Sequence, residues 1–130
     1  MSQTTLAVSH GHPDGKLWAL DQFASFVGVD LHKCTVTLVA VDPRGQVIAH
    51  LTISTKCVDK IHDWLKAVPQ PCWMAVEAVG FAEWFLDAYG PAVNQVSIAD
   101  ATELESRRGK HRKNDFNSAK DVAERLARGE

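Results

Sequence analysis

The sequence predicts a mixed α/β fold in which one sheet of antiparallel and parallel strands carries helices on its faces. Three observations predict it. Residues 23–31, 34–41 and 46–53 are rich in Val, Ile, Thr and Phe and are separated by short turns, the pattern of a three-stranded antiparallel meander. After residue 57 the apolar spacing changes to a helical period, and from there helical and strand-like segments alternate. Two of the apolar runs carry an acid at or near their end, Asp30 and Glu77, and a buried acid is expensive unless something cationic meets it.

Each element has its own signal. Residues 1–22 mix small polar residues with the turn-rich His10-Gly11-His12-Pro13-Asp14-Gly15, so a flexible leader is expected, with Leu17, Trp18 and Leu20 available for a short docking turn. Residues 23–31 are apolar with Val and Phe enriched, as in a buried strand. Asp42-Pro43-Arg44-Gly45 supplies the turn between the next two strands. Val58, Ile61, Trp64, Leu65 and Val68 fall on one helical face, and Pro69-Gln70-Pro71 ends that helix.

Residues 72–77 form an apolar run too short for a helix, as expected of a central parallel strand. Phe81, Trp84, Phe85 and Ala88 mark a second helical face stopped by Gly90-Pro91, and residues 93–99 a further strand ending at Asp100. From 102 to 113 the composition is polar and basic. A last helix is expected to begin near Asn117 or Ser118, with Ala119, Val122, Ala123 and Leu126 on one face. The order β-β-β-α-β-α-β-α fits the ribonuclease H-like plan, a mixed sheet with helices on its faces, although other α/β arrangements share it.

Composition narrows the function classes. With 130 residues, 45% of them hydrophobic and 23% charged, the chain suits one globular domain and neither a disordered nor a membrane class. No apolar run reaches the roughly 18 residues of a spanning helix, and the N-terminus lacks the order of a secretion signal, so a cytoplasmic protein is expected. Cys34, Cys57 and Cys72 show no C-x-x-C pair and are expected as reduced, mostly buried thiols. The six histidines show no zinc spacing, and His10 and His12 are expected to be solvated. The net charge of −2 hides an asymmetry: residues 1–106 hold 6 Lys/Arg against 12 Asp/Glu, whereas residues 107–130 hold 8 against 4. The basic end is the one suited to a polyanion.

In the predicted plan the first strand is central and the fourth lies beside it, so Asp30 and Glu77 approach each other. Two adjacent carboxylates repel and retain a proton unless a divalent cation sits between them. Mg²⁺ suits such oxygen ligands, with Mn²⁺ as the alternative, and paired ions of this kind serve phosphodiester chemistry. Each acid alone has an ordinary reading, as a cap or as a solvent-facing strand end; the joint placement is what points to chemistry. Arg107, Arg108, Lys110, Arg112 and Lys113 bring five permanent cations without an intervening acid. A solvated loop is their bland reading, but Asp115 follows at once and puts a possible metal ligand beside a phosphate-contacting segment.

With Val-Gly-Val-Asp-Leu-His-Lys at 27–33, Ala-Val-Glu-Ala-Val-Gly at 75–80 and Arg-Lys-Asn-Asp-Phe-Asn-Ser-Ala at 112–119, the chain resembles the N-terminal, RuvC-like domain of DEDD-type insertion-sequence transposases, the IS one-ten group, to which the Piv pilin-gene invertase is related. The resemblance spans roughly residues 25–128. It implies a catalytic domain over residues 23–130 that cleaves and rejoins DNA, with Asp30, Glu77 and Asp115 as metal ligands and catalytic acids. The family's fourth acid falls on Ser118, a departure from the pattern: either Asp121 three residues on supplies the missing carboxylate, or the Ser118 hydroxyl holds a metal-bound water, or the site is weakened or dead. The resemblance further implies a C-terminal domain bearing a nucleophilic serine, cooperation between protomers of a homo-oligomer, and for some members a guide (bridge) RNA. On this reading the chain holds the metal-binding half of a composite site.

Two other functions fit parts of the pattern. An actin-like sugar kinase or ATPase fragment also opens with an apolar strand, Gly-x-Asp and a hairpin, but its phosphate loop needs glycines and hydroxyls where this chain has Leu31-His32-Lys33-Cys34. A non-catalytic nucleic-acid-binding or assembly module with a vestigial site is favoured by Ser118 standing where an acid belongs.

Overall fold

The computed structural model describes residues 20–77, 80, 82–99 and 114–129. Five strands form one sheet: β1 (Ser25–Leu31), β2 (Thr35–Val41), β3 (Val47–Ser54), β4 (Cys72–Glu77) and β5 (Gln95–Ala99). The helices are α1 (Val58–Ala67), α2 (Ala82–Tyr89) and α3 (Asp115–Ala127). The strand order is β3-β2-β1-β4-β5. β1 runs antiparallel to β2, as β2 does to β3, while β1, β4 and β5 are parallel. The predicted meander and the predicted parallel fourth strand are both present, in the ribonuclease H-like arrangement.

Alternation along β1 assigns its side chains to two cores. Val27, Val29 and Leu31 join Ile61 and Leu65 of α1 and Phe85, Leu86 and Tyr89 of α2. Phe26, on the opposite face, joins Val39, Val41, Ala75 and Ala99 beneath Ala119, Val122, Ala123 and Leu126 of α3. All seven residues of β1 are buried, which is why the strand reads as a continuous apolar run rather than an alternating one.

Gly28 faces α3, and a Cβ there would overlap the carbonyl oxygen of Ala119 and lie 2.6 Å from the amide nitrogen of Ala123. The helix backbone therefore rests directly on the strand. Burying Val122 and Leu126 contributes roughly 1.5–3 kcal/mol each as an upper bound, so apolar packing helps hold α3 in place.

The turn expected at residues 42–45 is present. Asp42 Oδ1 accepts from the amides of Arg44 at 2.9 Å and Gln46 at 3.0 Å, and Gly45 takes φ +87°, which a side chain would resist.

Three expectations are corrected. The last helix begins at Asp115, not at 117 or 118, because the Asn114 side chain caps it by accepting the Asn117 amide at 2.7 Å. The last strand begins at Gln95 rather than 93, since the Gly90–Ala92 3₁₀ turn carries the chain further before it pairs. The thiols are free as expected, but only Cys72 is buried; Cys57 is half-buried and Cys34 is exposed, in the turn between β1 and β2. Of the expected leader, residues 1–19 lie outside the described residues and Leu20–Gln22 form a 3₁₀ turn. Among the described residues no helix is long and apolar enough to cross a membrane.

Candidate functional site

Asp30 is the sixth residue of β1, two beyond Gly28 and on the same face. Its register partner on β2 is Thr37. Asp30 is buried at the edge of the α3-side core. His32 follows two residues later, where the chain leaves the strand, and its amide donates to the Thr35 carbonyl at 2.9 Å to close the hairpin turn. The spacing of two keeps its ring on the side of Asp30.

Asp115 arrives from the other end of the sequence. Capped by Asn114, it occupies the first turn of α3, where the partial positive charge of the helix N-terminus favours a carboxylate. His32 Nε2 stands 3.2 Å from Asp30 Oδ2 and 3.0 Å from Asp115 Oδ1. One ligand atom from each of the three lies within 4.8 Å of the others. The cluster opens outward: the His32 and Asp115 side chains are 52% and 48% exposed, against 10% for Asp30.

The electrostatics follow from that geometry. Burial pushes the Asp30 carboxyl up to about 6 from an ordinary 3.8; the His32 charge opposes this, and the hydrogen bond and charge of Asp115 reinforce it. For His32, burial acts downward, but the two carboxylates outweigh it and raise the imidazole above its usual 6.5. Two acids thus converge on one cation-capable ring, with water on the far side.

Glu77 ends β4 at 8% exposure. The parallel register pairs Val29 with Val76, so Glu77 falls at the next position beside Asp30, on the face that carries Gly28 and Ala75. It does not belong to the three-residue group. Ser118 is buried at 7% one turn along α3, its amide donating to the Asn114 carbonyl at 2.9 Å. Asp121 is half-buried another turn on and is likewise outside the group. Arg107, Arg108, Lys110, Arg112 and Lys113 lie outside the described residues.

His32 is not among the residues the sequence points to, because no second histidine stands at a zinc-type spacing from it. Its sequence signal is Asp-x-His at a strand end, since a spacing of two places both side chains on one face.

Two oxygens and one imidazole nitrogen, partly open to water, form a donor set that fits a divalent cation. The fold is RuvC-like. A solved structure of Thermus thermophilus RuvC is 18% identical, with a TM-score of 0.56, and the match covers 78% of this chain and 91% of that one. A second, of T. thermophilus RuvC in complex with a Holliday junction substrate, is 17% identical with a TM-score of 0.57, covering 78% and 90%. The likeness is one of fold. No protein-family model matches the chain, and no curated protein matches it.

Proposed function

We propose that this chain is the metal-binding catalytic domain of a DNA transposase or recombinase, acting in strand cleavage and rejoining. The observation that carries the reading is the convergence of Asp30 and Asp115 on His32 at the end of the central strand of a RuvC-like sheet. The RuvC neighbour seen with a Holliday junction supports a DNA partner. So do the sequence resemblance to DEDD transposases and the five cations at 107–113.

In this reading Asp30, Glu77 and Asp115 hold Mg²⁺ or Mn²⁺, with Ser118 or Asp121 completing the set. A bound ion supplies charge stabilisation at the phosphodiester and activates the attacking oxygen. Asp30 and Asp115 place negative charge where the ion binds, and the buried flank at Asp30 excludes water on one side. The basic segment grips the phosphate backbone. The domain spans residues 23–130 and works with a serine-bearing domain, in a homo-oligomer and with a guide RNA where the family uses one.

The test is DNA binding by fluorescence anisotropy, with and without Mg²⁺, for wild type and Asp30→Ala. Metal-dependent affinity that disappears in Asp30→Ala supports the reading. Equal affinity under all four conditions overturns it in favour of a second one, a non-catalytic nucleic-acid-binding module, which the buried Ser118 in place of an acid favours.

A further inference from the structure

We propose that His32 is a direct ligand of this centre and that its imidazole makes the site prefer Mn²⁺ over Mg²⁺. The inference rests on the metal-centre reading above and adds a residue that the four-acid pattern does not contain.

The geometry is specific. Adjacent ligand atoms around an octahedral ion with bonds of about 2.1 Å lie about 3.0 Å apart. His32 Nε2 stands at 3.2 Å and 3.0 Å from one oxygen of each carboxylate, so the nitrogen already has the spacing of a neighbouring ligand to both, and one ligand atom from each of the three residues lies within 4.8 Å of the others. Little movement is needed to exchange the hydrogen-bonded arrangement for a metal-bridged one. The backbone supports the placement, because the His32 amide is fixed by its 2.9 Å bond to Thr35 in the hairpin turn. The ring does not fill a core site; its side chain is 52% exposed and makes its polar contacts to the two acids.

The chemistry of the donor set then decides the ion. Mg²⁺ is a hard cation that takes oxygen ligands and keeps its waters reluctantly exchanged. First-row transition ions accept imidazole nitrogen, and Mn²⁺ accepts carboxylate and water as well. A two-oxygen, one-nitrogen set with an open outer side therefore matches Mn²⁺ better than Mg²⁺. The same imidazole adds nothing for Mg²⁺ that a water would not supply.

The experiment uses the 130-residue chain, with Mn²⁺ binding followed by loss of the free-ion electron paramagnetic resonance signal and Mg²⁺ binding measured by competition against it. His32→Ala is the variant, and circular dichroism checks that it folds. Wild type is expected to bind Mn²⁺ at least tenfold more tightly than Mg²⁺. In His32→Ala, Mn²⁺ affinity is expected to fall tenfold or more while Mg²⁺ affinity changes less than threefold. Bound Mn²⁺ in wild type should also show a ¹⁴N coupling in the spin-echo spectrum, absent in the variant.

If both ions bind but their ratio is the same in wild type and His32→Ala, or no nitrogen coupling appears, the role of His32 is overturned and the metal centre stands. If wild type binds neither ion, the inference falls together with the reading it rests on.

Discussion

Gly28 and Ala119 lie so close that a Cβ on the glycine would overlap the alanine carbonyl oxygen. This contact fixes the height of α3 above β1, and α3 carries Asp115 to the end of the same strand that carries Asp30. Spacing between helix and sheet is therefore coupled to spacing between the two acids.

Gly28→Ala is expected to destabilise the chain by about 3 kcal/mol, at the upper end for overpacking, because the obstructing atoms are helix backbone. Gly80→Ala is the matched control. Nothing lies within 4 Å of a Cβ there, and a change under about 0.5 kcal/mol is expected. Urea midpoints of the two variants check this; equal midpoints would contradict a backbone contact at Gly28.

The cap on α3 gives a milder perturbation. Asn114→Ala removes the acceptor for the Asn117 amide and is expected to cost about 1 kcal/mol. Fraying should be confined to the first turn, the one that bears Asp115. Amide exchange of Asn117 and Ser118 should rise while that of Val122 and Leu126 stays slow.

The acid cluster sets a pH dependence whose sign can be worked out for the metal-free chain. Asp30 is raised to about 6 in the fold from 3.8, so between those values the folded state holds its proton more tightly than the unfolded state. Stability contributed by that proton is lost as pH rises through the window. His32, also raised, contributes stability that is present below 6.5 and lost as pH passes its folded value. Both groups act in the same direction.

In EDTA, stability should therefore fall between pH 3.8 and about 6 through Asp30 and again above 6.5 through His32, and Asp30→Asn should remove the first fall, weaken the second and gain about 1–2 kcal/mol at pH 8, after discounting for solvent screening. Adding Mn²⁺ should reverse the ranking, stabilising wild type by about 2.7 kcal/mol at a hundredfold excess over Kd and the variant hardly at all. A steeper slope in Asp30→Asn would show that the cluster is not its source.

The cysteines offer a direct probe of the packing. Burial pushes the Cys72 thiol up to about 12, with a hydrogen bond to Ser25 opposing, whereas Cys34 is exposed. At pH 7, maleimide is expected to label Cys34 quickly and Cys72 only after denaturation. Peptide mass spectrometry distinguishes them, and early labelling of Cys72 would contradict a closed sheet at the start of β4.

Much of this was legible from local patterning. Strand and helix existence followed from the apolar period, and the placement of β4 beside β1 from the element order, because both reflect which face each residue buries. Local pattern places the start of α3 two or three residues late, because Asn114-Asp115 looks like the end of a polar loop until the Asn side chain is seen to cap. Cys34 was expected inside, yet the hairpin turn carries it into water.

By itself the sequence determined the mixed sheet, the burial of Asp30 and the face of α3 that meets the sheet, since period and apolar content decide these locally. Only the tertiary structure decided which acid reaches Asp30 and through what. Asp115 comes from the far end of the chain, and its meeting with His32 depends on α3 lying directly on Gly28. That distance is set by backbone against backbone, and no local pattern of side chains encodes it.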